Sequence, residues 1–241
     1  MNGAEMLAEA ALYMSCSIPL GFRDGSSAVD LECPDTWSTS LRQALEHGNR
    51  AHVDAVLANE RILGFHCTKL LPHERDNILK RGLRPLTMDL VKKRVTDACQ
   101  HGHLNKSIAE HLLGMTAAGD SNRRGLIWFV HARSLLGNRS GCYRLFGLWG
   151  GEAIYGPHDD PEVKSVLQAM GEPSLVVAAI PASRINSVGS LGQRFLHAFS
   201  GKTDEAAFEA HVTEAVGTEC IIDILRCSDP RFEALTHYST W

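Results

Sequence analysis

Between Ser174 and Ile180 the chain reads Ser-Leu-Val-Val-Ala-Ala-Ile, a stretch of strand length with almost no polar residue. A half-buried strand alternates apolar and polar side chains, so one that does not alternate needs cover on both faces. Such a strand is central to a sheet, and the rest of the chain must supply the cover. Further strands are predicted at Arg61–Thr68, Leu126–Val130, Glu152–Tyr155 and Glu219–Leu225.

Helices are predicted between them. Residues 1–14 read as a short helix and residues 15–37, with Pro19, Gly21, Gly25 and Pro34, as an irregular connector. Ser38 or Ser40 is an N-cap for a helix whose apolar positions are Leu41, Leu45, Val53, Val56 and Leu57, weakened in its middle by Gly48. Pro72 opens a helix that Gly82 closes. Thr87–Gln100 and Leu104–Met115 form two more, joined by His101-Gly102-His103, and a helix begins at Arg133. Phe195–Phe199 and Asp204–Val212 read as helical fragments, and Asp229-Pro230 starts a last short one. Strands and helices mixed without regular βαβ alternation describe an α+β fold.

At 241 residues the chain has room for one large domain or a domain with an appendage. A net charge of -4 gives no general attraction to nucleic acid or anionic membrane, although Lys92-Lys93-Arg94 and Arg123-Arg124 are local basic clusters. The seven cysteines (Cys16, Cys33, Cys67, Cys99, Cys142, Cys220, Cys227) are odd in number and follow no repeated spacing. That pattern reads as reduced thiols in a cytoplasmic protein. Glu5 and Glu9 precede the mildly apolar stretch Ala10–Leu20, which is unlike a Sec signal peptide and leaves only a non-Sec route for export. No apolar run approaches the roughly 20 residues of a membrane span.

Several motifs are set aside. Gly201-Lys202-Thr203 resembles the end of a P-loop, but Leu196 stands where its first glycine belongs. No G-x-G-x-x-G follows a strand, and no G-x-S-x-G elbow is present. Cys99, His101, His103 and His111 lack the spacing of a closed zinc site, so no metal is expected.

Three fragments taken in order carry a resemblance. Phe65-His66-Cys67-Thr68, followed by Ile78-Leu79-Lys80-Arg81-Gly82-Leu83, resembles the opening of the ADP-ribosyltransferase superfamily, where H-G-[ST] ends the first strand and a helix ending I-L-x-x-G-L follows. Cys67 here replaces the glycine. Gly125-Leu126-Ile127-Trp128-Phe129, leading to Ala132-Arg133-Ser134, resembles the family's G-x-Y-F strand and Ser-containing helix start. Thr218-Glu219-Cys220-Ile221-Ile222-Asp223 resembles a late strand opening with the catalytic glutamate.

The resemblance covers residues 62–240 and implies a split β-sheet core at 61–241, with an N-terminal helical extension at 1–60 and a helical insertion near 88–122. It implies an NAD-dependent mono-ADP-ribosyltransferase of the bacterial effector or toxin kind, acting on a macromolecular acceptor, with a protein the expected one, and releasing nicotinamide. His66 would hold the adenosine ribose, the Cys67-Thr68 backbone the nicotinamide amide, and Trp128 (with Phe129 beside it) would cover the nicotinamide ring. Glu219 would stabilise the positive charge that develops on the sugar. Ser134 and Arg133 would contact cofactor phosphates, as would Arg139, and Tyr155 would face the cleft. Glu152, in Trp149-Gly150-Gly151-Glu152, is the rival carboxylate. Three alternatives share the fold: an RNA 2′-phosphotransferase-like enzyme relying on arginines, an NAD hydrolase, and an inactive partner-binding module. Nucleic acid is possible as a partner but not favoured by the charge.

Overall fold

A computed structural model describes residues 27–137, 141–155, 160–202 and 207–237. The helix expected over residues 1–14 lies outside the described residues, as does Arg139. The observed class is α+β, with a six-stranded sheet. The strands are β1 (Arg61–Leu70), β2 (Ile127–Val130), β3 (Glu172–Pro181), β4 (Asn186–Ser187), β5 (Glu209–Val212) and β6 (Ile221–Arg226). Their spatial order is β4-β5-β2-β1-β3-β6, with antiparallel neighbours.

β3 has the double burial its composition demands. Leu175, Val177 and Ala179 enter one core with Leu63, Phe65 and Phe232. Val176, Ala178 and Ile180 enter another with Phe129, Ile224 and Leu83. A ten-residue register ties β3 to β1, from Arg61 opposite Pro181 to Leu70 opposite Glu172.

The helix expected from Ser38 to Leu57 is two helices, α1 (Thr39–Glu46) and α2 (Arg50–Leu57). Gly48 takes φ +64°, a left-handed conformation that ends α1, and the Asn49 side chain caps α2 by accepting from His52 N. α1 and α2 share a core with Trp37, Ile62 and Phe195 of α9 (Leu191–Phe199). Val29 forms a parallel bridge to Ile62, so residues 27–60 join the sheet directly.

α3 (Pro72–Arg81) follows β1 and ends at Gly82, as its Pro and Gly foretell. α4 (Met88–Gln100) and α5 (Lys106–Gly114) enclose their own core with Trp149, α7 (Glu152–Tyr155) and α8 (Pro161–Ala169). α6 (Cys142–Gly147) packs on β1, and α10 (Pro230–Thr236) ends the described chain.

Two expectations are corrected. Glu152–Tyr155 is a helical turn, not a strand. Its neighbours Ala153 and Ile154 are both buried in one core, and the positive φ of Gly150 and Gly151 turns the chain into it. Within Asp204–Val212, residues 209–212 are strand β5 rather than helix, because pairing with β2 outweighs a helix-friendly composition. Among the described residues no helix is long and apolar enough to cross a membrane.

Candidate functional site

β1 and β2 pair at one position only, Phe65 with Val130. Beyond it the two strands part, and the sheet divides into β4-β5-β2 and β1-β3-β6. His66 turns into the opening: its Nδ1 lies 2.9 Å from the carbonyl oxygen of Trp128. A carbonyl can only accept, so Nδ1 carries the hydrogen and Nε2 keeps a lone pair. Burial lowers the His66 pKa against the effect of that hydrogen bond, and the nearby charge of Arg94 lowers it further. The ring is therefore held neutral.

Two adjoining cavities meet at His66. The larger, about 430 Å³, runs between the parted strands toward α6 and the turn at Gly150-Gly151. The smaller, about 160 Å³, lies between α3 and α4. His66, Thr68, Leu83, Arg84, Leu90 and Arg94 line both, so they form the waist of one two-lobed cleft. The larger lobe alone is in the range of small-molecule sites.

The waist is built around Arg94. Glu74 Oε1 accepts from Arg94 Nε at 2.6 Å, while its Oε2 accepts from Leu71 N (2.9 Å) and Trp149 Nε1 (2.8 Å). Burial pushes the Glu74 carboxyl up, but the charge of Arg94 and these donors outweigh it and hold the carboxyl below its ordinary value. The guanidinium also sits 5.1 Å from the Trp149 ring. It is thus fixed in place, yet its Nη2 is buried with no hydrogen-bond partner among the described residues. A buried donor with no acceptor is costly.

The larger lobe holds Trp128 and Glu209. Trp128 is 42% exposed, unusual for an indole, and is held from two sides. Its Nε1 donates to Asn122 O at 3.1 Å, and its ring centroid lies 4.8 Å from that of His211. Glu209 opens β5 opposite Val130, the residue that also closes the split from the other side. It lines the lobe together with His66, Trp128, Arg123 and Arg144. Sequence reasoning did not single out Glu209. A signal was present: Phe208, Ala210 and Val212 are buried while Glu209 and His211 face outward, the two-residue alternation of a strand.

Of the residues singled out in the sequence, His66, Cys67, Thr68 and Trp128 line the cleft. Phe129, Arg133, Ser134 and Glu219 do not join them. Phe129 is buried in the core behind the cleft, with its ring 5.9 Å from that of His66. Arg133 is buried and paired with Asp30 at 2.5 Å, and Ser134 donates through N (2.9 Å) and Oγ (2.5 Å) to Glu32. These two residues anchor the segment before α1 rather than the cleft.

Glu219 sits in a 3₁₀ turn, Thr218–Cys220, not in the strand expected to begin there. Its carbonyl accepts from Arg61 Nη1 at 3.3 Å, and its carboxylate accepts from the Cys220 thiol at 3.5 Å. Arg61 begins β1 five residues before His66, about 16 Å away along an extended strand. Glu219 does not line the cleft. The backbone around Glu152 and Tyr155 borders the larger lobe through Gly151 and Ala153, while the side chains of Glu152 and Tyr155 lie outside what is described.

Family models, curated proteins and solved structures were all compared with this chain, and none matches it.

Proposed function

We propose that the chain is an NAD-dependent ADP-ribosyltransferase, with Glu209 rather than Glu219 as its working carboxylate. One observation carries this reading. His66, Trp128 and Glu209 share a two-lobed cleft whose waist presents a fixed guanidinium with an unsatisfied buried donor. Two lobes joined at a cationic waist suit a dinucleotide, two nucleosides linked by a pyrophosphate. Arg94 would take the pyrophosphate through Nη2, with Arg84 beside it. His66 would accept a ribose hydroxyl at Nε2, and Trp128 would lie against nicotinamide. Bound NAD supplies a glycosidic bond whose cleavage leaves a cationic sugar. A fixed carboxylate facing that sugar stabilises the charge, worth about 10²–10³ in rate for a single preorganised group. The acceptor in this reading is a protein side chain.

The test is incubation of the purified chain with labelled NAD and a cell lysate, following both nicotinamide release and transferred label. Glu209→Gln is expected to lose about 10²-fold or more in rate, while Glu219→Gln keeps the parent rate. Equal activity in all three proteins overturns the assignment of Glu209. Nicotinamide release without labelled macromolecules identifies a hydrolase instead.

A second reading has its own support. Arg84, Arg94, Arg123 and Arg144 all line the cleft, as a 2′-phosphotransferase acting on a phosphorylated RNA would want. Consumption of a 2′-phosphorylated oligonucleotide by Glu209→Gln at the parent rate would favour it.

A further inference from the structure

The smaller lobe of the cleft carries an excess of positive charge. Its lining holds four cations, Arg81, Arg84, Lys93 and Arg94, and two carboxylates, Glu74 and Asp97. Both carboxylates are taken: Glu74 accepts from Arg94 at 2.6 Å, and Asp97 pairs with Lys93 at 2.8 Å. Arg81 and Arg84 pair with no acid among the described residues, so both charges are left over. They flank Gly82-Leu83, and Leu83 exchanges two backbone hydrogen bonds with Val216, at 2.8 and 2.9 Å, which pins the turn between the arginines. A basic residue in the last turn of a helix also answers the helix dipole, and α3 has two, Lys80 and Arg81. Of these, Arg81 lines the lobe and Lys80 does not. Ile78, Leu83 and Leu90 give the lobe an apolar wall that suits the face of a base.

We infer that the smaller lobe takes an adenosine whose ribose bears a phosphate monoester, so that the chain prefers NADP to NAD, with Arg81 as the selecting residue. This preference rests on the dinucleotide reading proposed above. In that reading Arg84 and Arg94 take the pyrophosphate and His66 takes a ribose hydroxyl, which leaves Arg81 without a part in binding NAD. A phosphate monoester on the ribose adds about −1.5 to −2 charge near pH 7. It brings an acceptor to the one guanidinium of the lobe that still lacks one. Arginine binds such a group through paired N–H donors, which are stronger than neutral hydrogen bonds. Arg81 is exposed, so its charge acts from the rim of the lobe and is screened by salt.

Calorimetry with the purified full chain compares NADP with NAD at low and moderate salt. NADP is expected to bind about tenfold more tightly, the worth of one charge-assisted pair, and the advantage is expected to shrink as salt rises. Arg81→Gln is expected to bring the ratio of the two affinities to about one. Lys80→Gln, which removes the neighbouring charge outside the lobe, is expected to keep the parent ratio. Equal affinities for the two dinucleotides in the parent chain overturn the preference, and a ratio that survives Arg81→Gln overturns the role of Arg81. A 2′-phosphorylated oligonucleotide that binds more tightly than NADP overturns the preference as well and favours the RNA reading. If neither dinucleotide binds, the functional reading falls, and adenosine 2′,5′-bisphosphate against 5′-AMP then decides the inference by itself. Tighter binding of the bisphosphate supports the lobe as a phosphate-reading site, and equal binding or none ends it.

Discussion

His131 shows how much a single buried group can set the behaviour of this molecule. It follows β2, donates from Nδ1 to Leu63 O at 2.8 Å and stacks on Phe208. Burial lowers its pKa to about 4, against the hydrogen bond to Leu63. The native state therefore binds fewer protons than the unfolded chain between pH 6.5 and 4. Stability from this residue is complete above pH 6.5, is lost as pH falls through that window, and is level below it. Acidification from pH 7 to 5 should cost about 2 kcal/mol through this site. Urea unfolding across that range checks it: His131→Asn should flatten the pH dependence by that amount, whatever its baseline cost. Arg94 illustrates the complementary case, a charge held by Glu74 and Trp149 whose Nη2 is buried without a hydrogen-bond partner among the described residues.

At the scale of elements, short punctuation residues do most of the positioning. Gly82 ends α3 with φ +74° and ψ -171°, and a Cβ there would lie 1.9 Å from Val216 O. The Leu83–Val216 bridge forms immediately after it, so this glycine lets the α3 turn meet the chain that leads into β6. Gly48 has a similar φ of +64° but nothing within 4 Å of an added Cβ. The two should separate on substitution. Gly48→Ala is expected to cost about 1 kcal/mol from backbone strain alone, and Gly82→Ala about 3 kcal/mol or more because backbone must also move. Chemical denaturation of the two variants measures the difference, and equal costs would contradict the close approach at Gly82.

For the molecule as a whole, the segment before α1 is tied to the far end of β2 by buried charge. Asp30 and Arg133 are both buried and 2.5 Å apart, and Glu32 holds Ser134 alongside. Removing one partner of a buried pair leaves the other poorly compensated, at about 3–5 kcal/mol. Asp30→Ala is expected to lower the unfolding free energy by about 3 kcal/mol while leaving the NAD binding proposed for the cleft unchanged in the surviving folded fraction. A joint loss of stability and affinity would mean that this end of β2 communicates with the split, where Trp128 sits only five residues away. The parted β1 and β2 are the feature on which the proposed function depends, and this pair secures one of the parted strands.

The fold was largely legible in local pattern. An apolar run buried on both faces, a first strand apolar up to His66, a Pro-to-Gly helix over 72–81 and N-caps at Ser38 and Asp229 each state which face or end is buried, and each took that form. Of the residues expected at a site, His66, Cys67, Thr68 and Trp128 border one cleft, being strand residues whose chemistry is conspicuous. That Glu209 borders it was not legible. Glu209 opens an alternating stretch and Glu219 an apolar one, and neither pattern states which strand it will pair with. What separates them is that β5 pairs with β2 beside the split, whereas the turn before β6 docks on Arg61. Side-chain periodicity records burial, and burial belongs to each segment alone. Which strands become neighbours depends on contacts between residues far apart in the chain, so only the tertiary structure decided that Glu209, and not Glu219, borders the same cleft as His66.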